Sequence, residues 1–378
     1  MKIVLSGVET NNKGAELMLY AILQEVERKW PDAEVYISRS RVLPGLDSVK
    51  TKVQMHYLPY EGIIAKSHIN SFLYRLNLPT IEGMNFVRGD FFLDGSGFLF
   101  SDQCKLWGIP PEWWENVLKH QYKKGAKIVF LPQAFGPLEM EMTKKAIRVL
   151  DKYATVIMAR EQVSYDYLKN SGLVDLKKVR IFTDFTSLVD GEFPKGYEHL
   201  RGGICIIPNK KMILKGGISY EEYIKLLTAI AEEGKKSGHP VYLLNHEGPK
   251  DAELCLRCKE TIGGDIEAVT DINGLEVKGL IASAYIVITS RFHGLASSLN
   301  SGVPSVATSW SHKYEELFKD YGLNNDYVLP LNDMESAILK VKNLIEGNAN
   351  ARIRAILEKK VPEIKDQTRD MWNVVWGV

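Results

Sequence analysis

Several things are scarce in this chain, and each shortage excludes a class of protein. Cysteine is one: 4 in 378 residues cannot build the disulfide framework that holds small secreted domains together. Two of the four form "CLRC" within "DAELCLRCKETI". No second cysteine pair follows at zinc spacing, and His239 and His246 stand upstream on another element, so two half-buried helical cysteines are the simpler reading. Long apolar runs are lacking as well, none approaching the roughly 20 residues of a membrane-spanning helix. The opening "MKIVLSGVETNNKGAE" has only a short apolar stretch and reads as a first β-strand, not a signal peptide. A cytoplasmic location is expected, with peripheral docking on the inner face of the plasma membrane left open. Net charge is also short. The 48 basic and 47 acidic residues sum to +1, which supplies no global field for wrapping nucleic acid. Local clusters such as "KHQYKKGAK" read as solvated helix ends. No G-x-G-x-x-G is present, so dinucleotide binding has little support.

What is there is an alternation. Short β-branched runs take turns with amphipathic helices, the pattern of a parallel α/β sheet. "KIVLS" and "AEVYIS" bracket the helix "GAELMLYAILQEVERKW", followed by "GDFFLDGSGFLF", "AKIVFLPQAFGP", "ATVIMAR" and "VRIFTDFTSLV". The polar stretch "DGEFPKGYEHLRGG" breaks the pattern and reads as a linker. The alternation restarts with "GICIIPN", "PVYLLNHEG", "YIVITS" and "PSVATS" and their helices. The expected architecture is two Rossmann-like, doubly wound α/β domains resembling the GT-B arrangement, with an interdomain cleft. Residues 1–190 form the first (acceptor-side) domain, 200–345 the second (donor-side) domain, and 346–378 a helical tail packing back.

Open α/β sheets bind ligands beyond the carboxyl ends of their strands, so the residues there are the candidates. They include Asn11, Asn12, Gly14 and Glu16 after the first strand, Asp94, Gly95, Ser96 and Gly97 after "FFL", and Gln133 after "IVFLP". Arg160 and Glu161 follow "VIMA", His246 and Glu247 follow "YLLN", Arg291 and His293 follow "VITS", and Trp310, His312 and Lys313 follow "SVATS". The set suits anions. Gly14 and Gly97 allow close backbone approach, Gly294 opens a helix whose amides favour negative charge, and the guanidinium groups fit carboxylate or phosphate. A small, doubly anionic ligand held between the domains is expected. Duller readings stand beside these. Arg160 also suits a surface pair with Glu161, and His246 a satisfied loop histidine. Arg291 with His293 is the stronger signal, because two costly polar residues interrupt an apolar strand-to-helix junction. Trp107, Trp113 and Trp114, near a double proline, fit either stacking on sugar rings or packing. Acceptor contacts are expected from loops 56–80 and 100–115.

At these motifs the chain resembles the polysaccharide pyruvyl transferase family. The resemblance rests on "SRFHGLASSLNSGVPSVATSWSHKYEEL", with "NNKGAE", "DGSGFLF", "LPQAFGP", "AREQVS" and "TDFTSLV" in family order. It runs from residue 1 to about residue 325. It implies a transferase that takes phosphoenolpyruvate as donor and a sugar of a bacterial surface polysaccharide, free or lipid-linked, as acceptor. The product would carry a pyruvate ketal across two hydroxyls. No cofactor or metal is implied. Arg160, Arg291, Phe292 and His293 fall where the family holds its donor, with Gly294 adjoining and Lys313 as a second basic residue. The family's early loop reads Asn-x-Gly-Asp-Glu. Here Ala15 takes the place of the aspartate, so Glu16 is the first choice for the catalytic base and Asp94 the next. Arg160 and Arg291 would hold the two anions and His293 would act as general acid. Asn12, Gly14, Asp94, Ser96 and Gln133 remain acceptor-side candidates. The rival readings are a GT-B glycosyltransferase with a nucleotide-sugar donor, for which Glu315 or Glu316 could meet the ribose, and a non-catalytic binding subunit of a polysaccharide assembly system.

Overall fold

Parallel strands buried on both faces read as continuous apolar runs, and "IVIT" and "VYLL" do so here without a single exposed residue. In the computed structural model, which describes residues 1–38, 49–58, 76, 84, 87–264, 266–309 and 312–378, such runs build two all-parallel sheets. Contacts divide the chain into two units. The first comprises Met1–Thr10, Met18–Phe185 and Thr368–Val378, and the second Asn11–Leu17 and Thr186–Gln367.

The first unit carries β1 (Lys2–Ser6), β2 (Glu34–Ser38), β3 (Gln54–Leu58), β4 (Phe91–Asp94), β5 (Lys127–Gln133), β6 (Val156–Ala159) and β7 (Val179–Ile181), in the order β3-β2-β1-β4-β5-β6-β7. Helix α1 (Lys13–Lys29) follows β1. Helices α2 (Pro111–Lys123), α3 (Glu141–Tyr153) and α4 (Gln162–Ser171) connect the later strands.

The second unit repeats the scheme with six strands. They are β8 (Ile204–Ile207), β9 (Val241–Leu244), β10 (Glu267–Val269), β11 (Ile286–Thr289), β12 (Ser305–Thr308) and β13 (Val328–Leu329), ordered β10-β9-β8-β11-β12-β13. Its helices are α5 (Lys211–Lys215), α6 (Tyr220–Lys236), α7 (Gly248–Ile262), α8 (Gly274–Ala282), α9 (Phe292–Asn300), α10 (Lys313–Asp320) and α11 (Met334–Glu346), and the chain ends in α12 (Ala349–Trp376). Both orders reverse direction beside the first strand of the unit, the doubly wound topology whose reversal point holds ligands. Helix starts follow local chemistry: Ser219 and Asn273 close capping boxes with Glu222 and Glu276.

The units depart from the expected boundaries. Residues 190–203 do not hang free as a linker. Gly191 lies against the backbone of α8, where a Cβ would come within 2.3 Å of Gly279 N, and Glu192 N donates to Leu275 O at 3.0 Å. The expected tail at 346–378 is shared out. Ile353, Leu357 and Ile364 enter the second unit's core, whereas Trp372 and Trp376 stack at 5.2 Å in the first unit, beside Phe185, Trp30 and Phe91. Among the described residues no helix is long and apolar enough to cross a membrane.

Candidate functional site

The junction after β11 is locked before its side chains are considered. Ser290 O accepts from Asn209 Nδ2 at 2.7 Å and from Tyr314 OH at 2.8 Å. Ser290 Oγ meets Tyr223 OH at 2.7 Å and Thr308 Oγ1 at 2.6 Å. One residue is thereby tied to the turn after β8 and to α6, β12 and α10. Arg291 is extended (φ −117°, ψ 130°) and precedes α9, its amide held by Thr289 Oγ1 at 3.0 Å. Gly294 lets the helix settle on the strand end, since a Cβ there would stand 2.6 Å from Thr289 Oγ1. Phe292, carried over as a donor-binding position, is buried in the second unit's apolar core, edge-on to His293 and Tyr314.

The Arg291 side chain turns to the start of α7. Its Nε donates to Asp251 Oδ2 at 2.8 Å, its second terminal nitrogen contacts the same oxygen, and the first contacts Glu247 Oε2. The guanidinium expected to grip a donor anion is therefore already engaged by two carboxylates. Burial pushes the Asp251 carboxyl up to about 7 and draws Arg291 down to about 10. Direct contact between the two groups favours the charged form of each and opposes that effect.

Residues 11–17 belong to this unit and close over the junction. Asn12 bridges to Glu247, Lys13 N donates to His246 O at 3.1 Å, and Gly248 N donates to Asn11 O at 3.1 Å. Asn12 also caps α1, its Oδ1 accepting from Gly14 N at 2.9 Å. Gly14 packs against His293 so closely that a Cβ would fall 2.2 Å from Nδ1. Glu16 is 3% exposed, pairs with Lys13 Nζ at 3.0 Å, and lies against Gly274. His246 is not a satisfied loop histidine. It is 1% exposed and its Nε2 has no hydrogen-bond partner among the described residues. Burial first, then Arg291, His293 and Lys13, hold its imidazole well below the usual 6.5, hence neutral. Lys313 Nζ lies 5.5 Å from the Phe292 ring centre.

Asn12, Gly14, Glu16, Arg291, Phe292, His293, Gly294 and Lys313 thus all belong to one unit. Arg160, Asp94, Ser96 and Gln133 belong to the other. There Asp94 is wholly buried, receives Ser96 N at 3.1 Å, Ser96 Oγ at 2.9 Å and Gln133 Nε2 at 3.4 Å, and is pushed up by burial. Arg160 is 4% exposed, 3.9 Å from both Glu161 and Asp184, so the surface-pair reading of it does not hold. Glu161 in turn takes the hydroxyl of Ser164, which caps Phe135 N at 2.8 Å.

Other candidates separate on burial. Trp113 and Trp114 pack beside Phe100 and Phe130 in the core, whereas Trp107 is 43% exposed. Cys255 and Cys258 lie inside the second core, their thiols pushed up by burial, to about 12 for Cys258, which removes thiolate chemistry. Trp310 and most of the loop 56–80 lie outside the described residues. Reading the sequence missed Asp251, Lys211, Asn209 and Tyr223. The signal for Asp251 was a carboxylate four residues past Glu247, in the first turn after a strand.

The two parallel, doubly wound sheets define a two-unit, Rossmann-type α/β protein with a GT-B-like fold. The structure resembles Anabaena HepE in complex with UDP and glucose (TM-score 0.61, 10% identity, covering 98% of this chain and 99% of that one). It likewise resembles a UDP-GlcNAc 2-epimerase from Neisseria meningitidis (TM-score 0.63, 9% identity, both chains fully covered). The sequence profile described as polysaccharide pyruvyl transferase matches residues 12–312, and the chain belongs to that family. The amylovoran biosynthesis protein AmsJ of Erwinia amylovora is 21% identical, over 99% of this chain and 98% of its own length. Family membership makes this chain a transferase with a role in polysaccharide modification.

Proposed function

We propose that this protein transfers the enolpyruvyl group of phosphoenolpyruvate to a saccharide of a bacterial surface polysaccharide or its precursor, and closes it to a pyruvate ketal. The observation that carries the reading is the Arg291–Phe292–His293 junction. Its backbone is fixed by the Ser290 network, and its imidazole lies against Gly14 in a chain of this family.

The chemistry needs a proton on the donor's methylene carbon, a sugar hydroxyl on the adjacent carbon, and stabilisation of the donor's charges. His293 delivers the first proton, a role typically worth about 10²–10⁴-fold. The amino-terminal amides of α9, with Arg291 and Lys313, face the donor's anionic groups. Glu16, next in the same segment to the alanine that stands where the family has aspartate, takes the hydroxyl proton, with Lys13 beside it at 3.0 Å. The carbon–oxygen bond to phosphate then breaks, and a second hydroxyl adds to the same carbon. Donor and diol thus become ketal and inorganic phosphate, with no net change of oxidation state.

The test is incubation with phosphoenolpyruvate and a panel of saccharide acceptors. Stoichiometric phosphate release with a pyruvate-sized mass gain, less water, on one acceptor is expected. Phosphate release without that gain, or none with any acceptor, rejects the reading.

A further inference from the structure

The two carboxylates on Arg291 differ in standing. Asp251 has a side chain 2% exposed, takes two of the guanidinium nitrogens, and receives the Lys210 amide on its other oxygen at 3.2 Å. Glu247 has a side chain 27% exposed, and its Oε2 bridges the remaining guanidinium nitrogen and Lys211 Nζ, the latter at 3.4 Å. Asp251 alone balances the charge of Arg291. The Glu247 oxygen therefore occupies a position between two cations that an anionic ligand could use equally well. The Glu247 backbone is fastened separately, by the bridge to Asn12 and by its amide on Asn245 Oδ1 at 3.3 Å. Its side chain can swing out without loosening the strand end. Lys211 follows β8, and Arg291 follows β11, so the pair flanks the order reversal of the second sheet.

We propose that the Glu247 carboxylate is a place-holder on an anion site made by Arg291 and Lys211. The carboxylate of a small anionic donor displaces it while Asp251 keeps the guanidinium aimed. The donor's identity rests on the phosphoenolpyruvate reading above; the anion site itself does not. A carboxylate entering this position takes one charge-assisted contact from the remaining guanidinium nitrogen and one from Lys211 Nζ, the two that Glu247 Oε2 now holds. A tethered carboxylate competes as an internal ligand at an effective concentration on the order of millimolar. Removing Glu247 therefore tightens anion binding, although the usual effect of deleting a residue at a binding site is to weaken it. Lys211 becomes a donor-binding residue alongside the Arg-Phe-His junction.

The experiment is titration calorimetry on the full chain with phosphoenolpyruvate, pyruvate and inorganic phosphate as separate probes, comparing wild type, Glu247→Gln, Lys211→Met and Lys211→Arg, with melting curves as the folding control. Glu247→Gln is expected to bind phosphoenolpyruvate and pyruvate about five-fold tighter or better, and Lys211→Met about ten-fold weaker, with Lys211→Arg near wild type. Equal or weaker binding by Glu247→Gln, or wild-type affinity in a folded Lys211→Met, overturns the proposal. A gain confined to inorganic phosphate overturns the carboxylate assignment. Turnover of phosphoenolpyruvate with no gain in Glu247→Gln removes the place-holder and leaves the donor reading standing. Tighter pyruvate binding in Glu247→Gln without phosphoenolpyruvate binding by any variant does the reverse. Binding of none of the three probes by any variant overturns both.

Discussion

Arg291 and His293 stand two residues apart yet serve different neighbours. One points to the carboxylates at the start of α7 and the other to the Gly14 backbone. Their substitutions should therefore separate binding from turnover. His293→Ala is expected to lose about 10²–10⁴-fold in kcat for phosphate release while still binding phosphoenolpyruvate; near wild-type kcat would remove it as the acid. His246 supplies a pH signature. Its folded-state imidazole is held well below 6.5 and stays neutral, whereas the unfolded chain takes up a proton as pH falls below about 6.5. The stability it contributes is therefore present above that pH and lost below it. For this one group the loss sets in below about pH 6.5 and grows as the pH falls further. Urea denaturation of wild type and His246→Gln at about pH 7.5 and about pH 5.5 checks this, and the variant should lose less stability than wild type between the two; an equal loss would remove His246 as a source of the pH dependence. His246 itself was legible only as a polar residue after a strand. Its burial beside Arg291, His293 and Lys13, which lie far from it in the sequence, is what holds the imidazole neutral.

Among the elements, α9 and the start of α1 set the site's geometry. Glycine lets both approach closely. Gly294 brings α9 onto Thr289, and Gly14 brings the 11–17 segment onto the His293 ring. Gly14→Ala adds a methyl within 2.2 Å of Nδ1 and 2.8 Å of Cβ of His293, so the ring or the segment must move. Overpacking of this kind costs about 1–3 kcal/mol. Gly14→Ala should therefore lose turnover nearly as fully as His293→Ala, with a melting temperature only a few degrees lower. Full activity in that variant would show that the contact does not position the imidazole. The helix-and-strand alternation was readable because burial on both strand faces leaves continuous apolar runs. The same burial made "CLRC" and "EWWE" ambiguous, since a core cysteine or tryptophan and a functional one have the same letter.

For the molecule as a whole, the two sheets repeat one strand order, and the chain's end is divided between the two cores. Trp372 is 1% exposed, stacked on Trp376 and edge-on to Phe185 within the first unit. Trp372→Ala should cost that unit about 3–5 kcal/mol. Hydrogen exchange is expected to rise in β1, β4 and β5 and to stay unchanged in β8 and β11. A uniform rise across both sheets would mean that the residue supports more than the unit whose core it joins.

The sequence by itself determined the α/β class, the two repeats of the strand scheme, and the Arg-x-His junction where an apolar strand meets a helix. Each of these follows from local periodicity and from the cost of burying polar groups. Only the tertiary structure decided that residues 11–17 belong with the second unit, that Arg291 is paired with Asp251 and Glu247, and that Lys211 stands beside them. Those facts depend on which strand ends become neighbours. Strand order is a long-range outcome of packing, and no local pattern of residues records it.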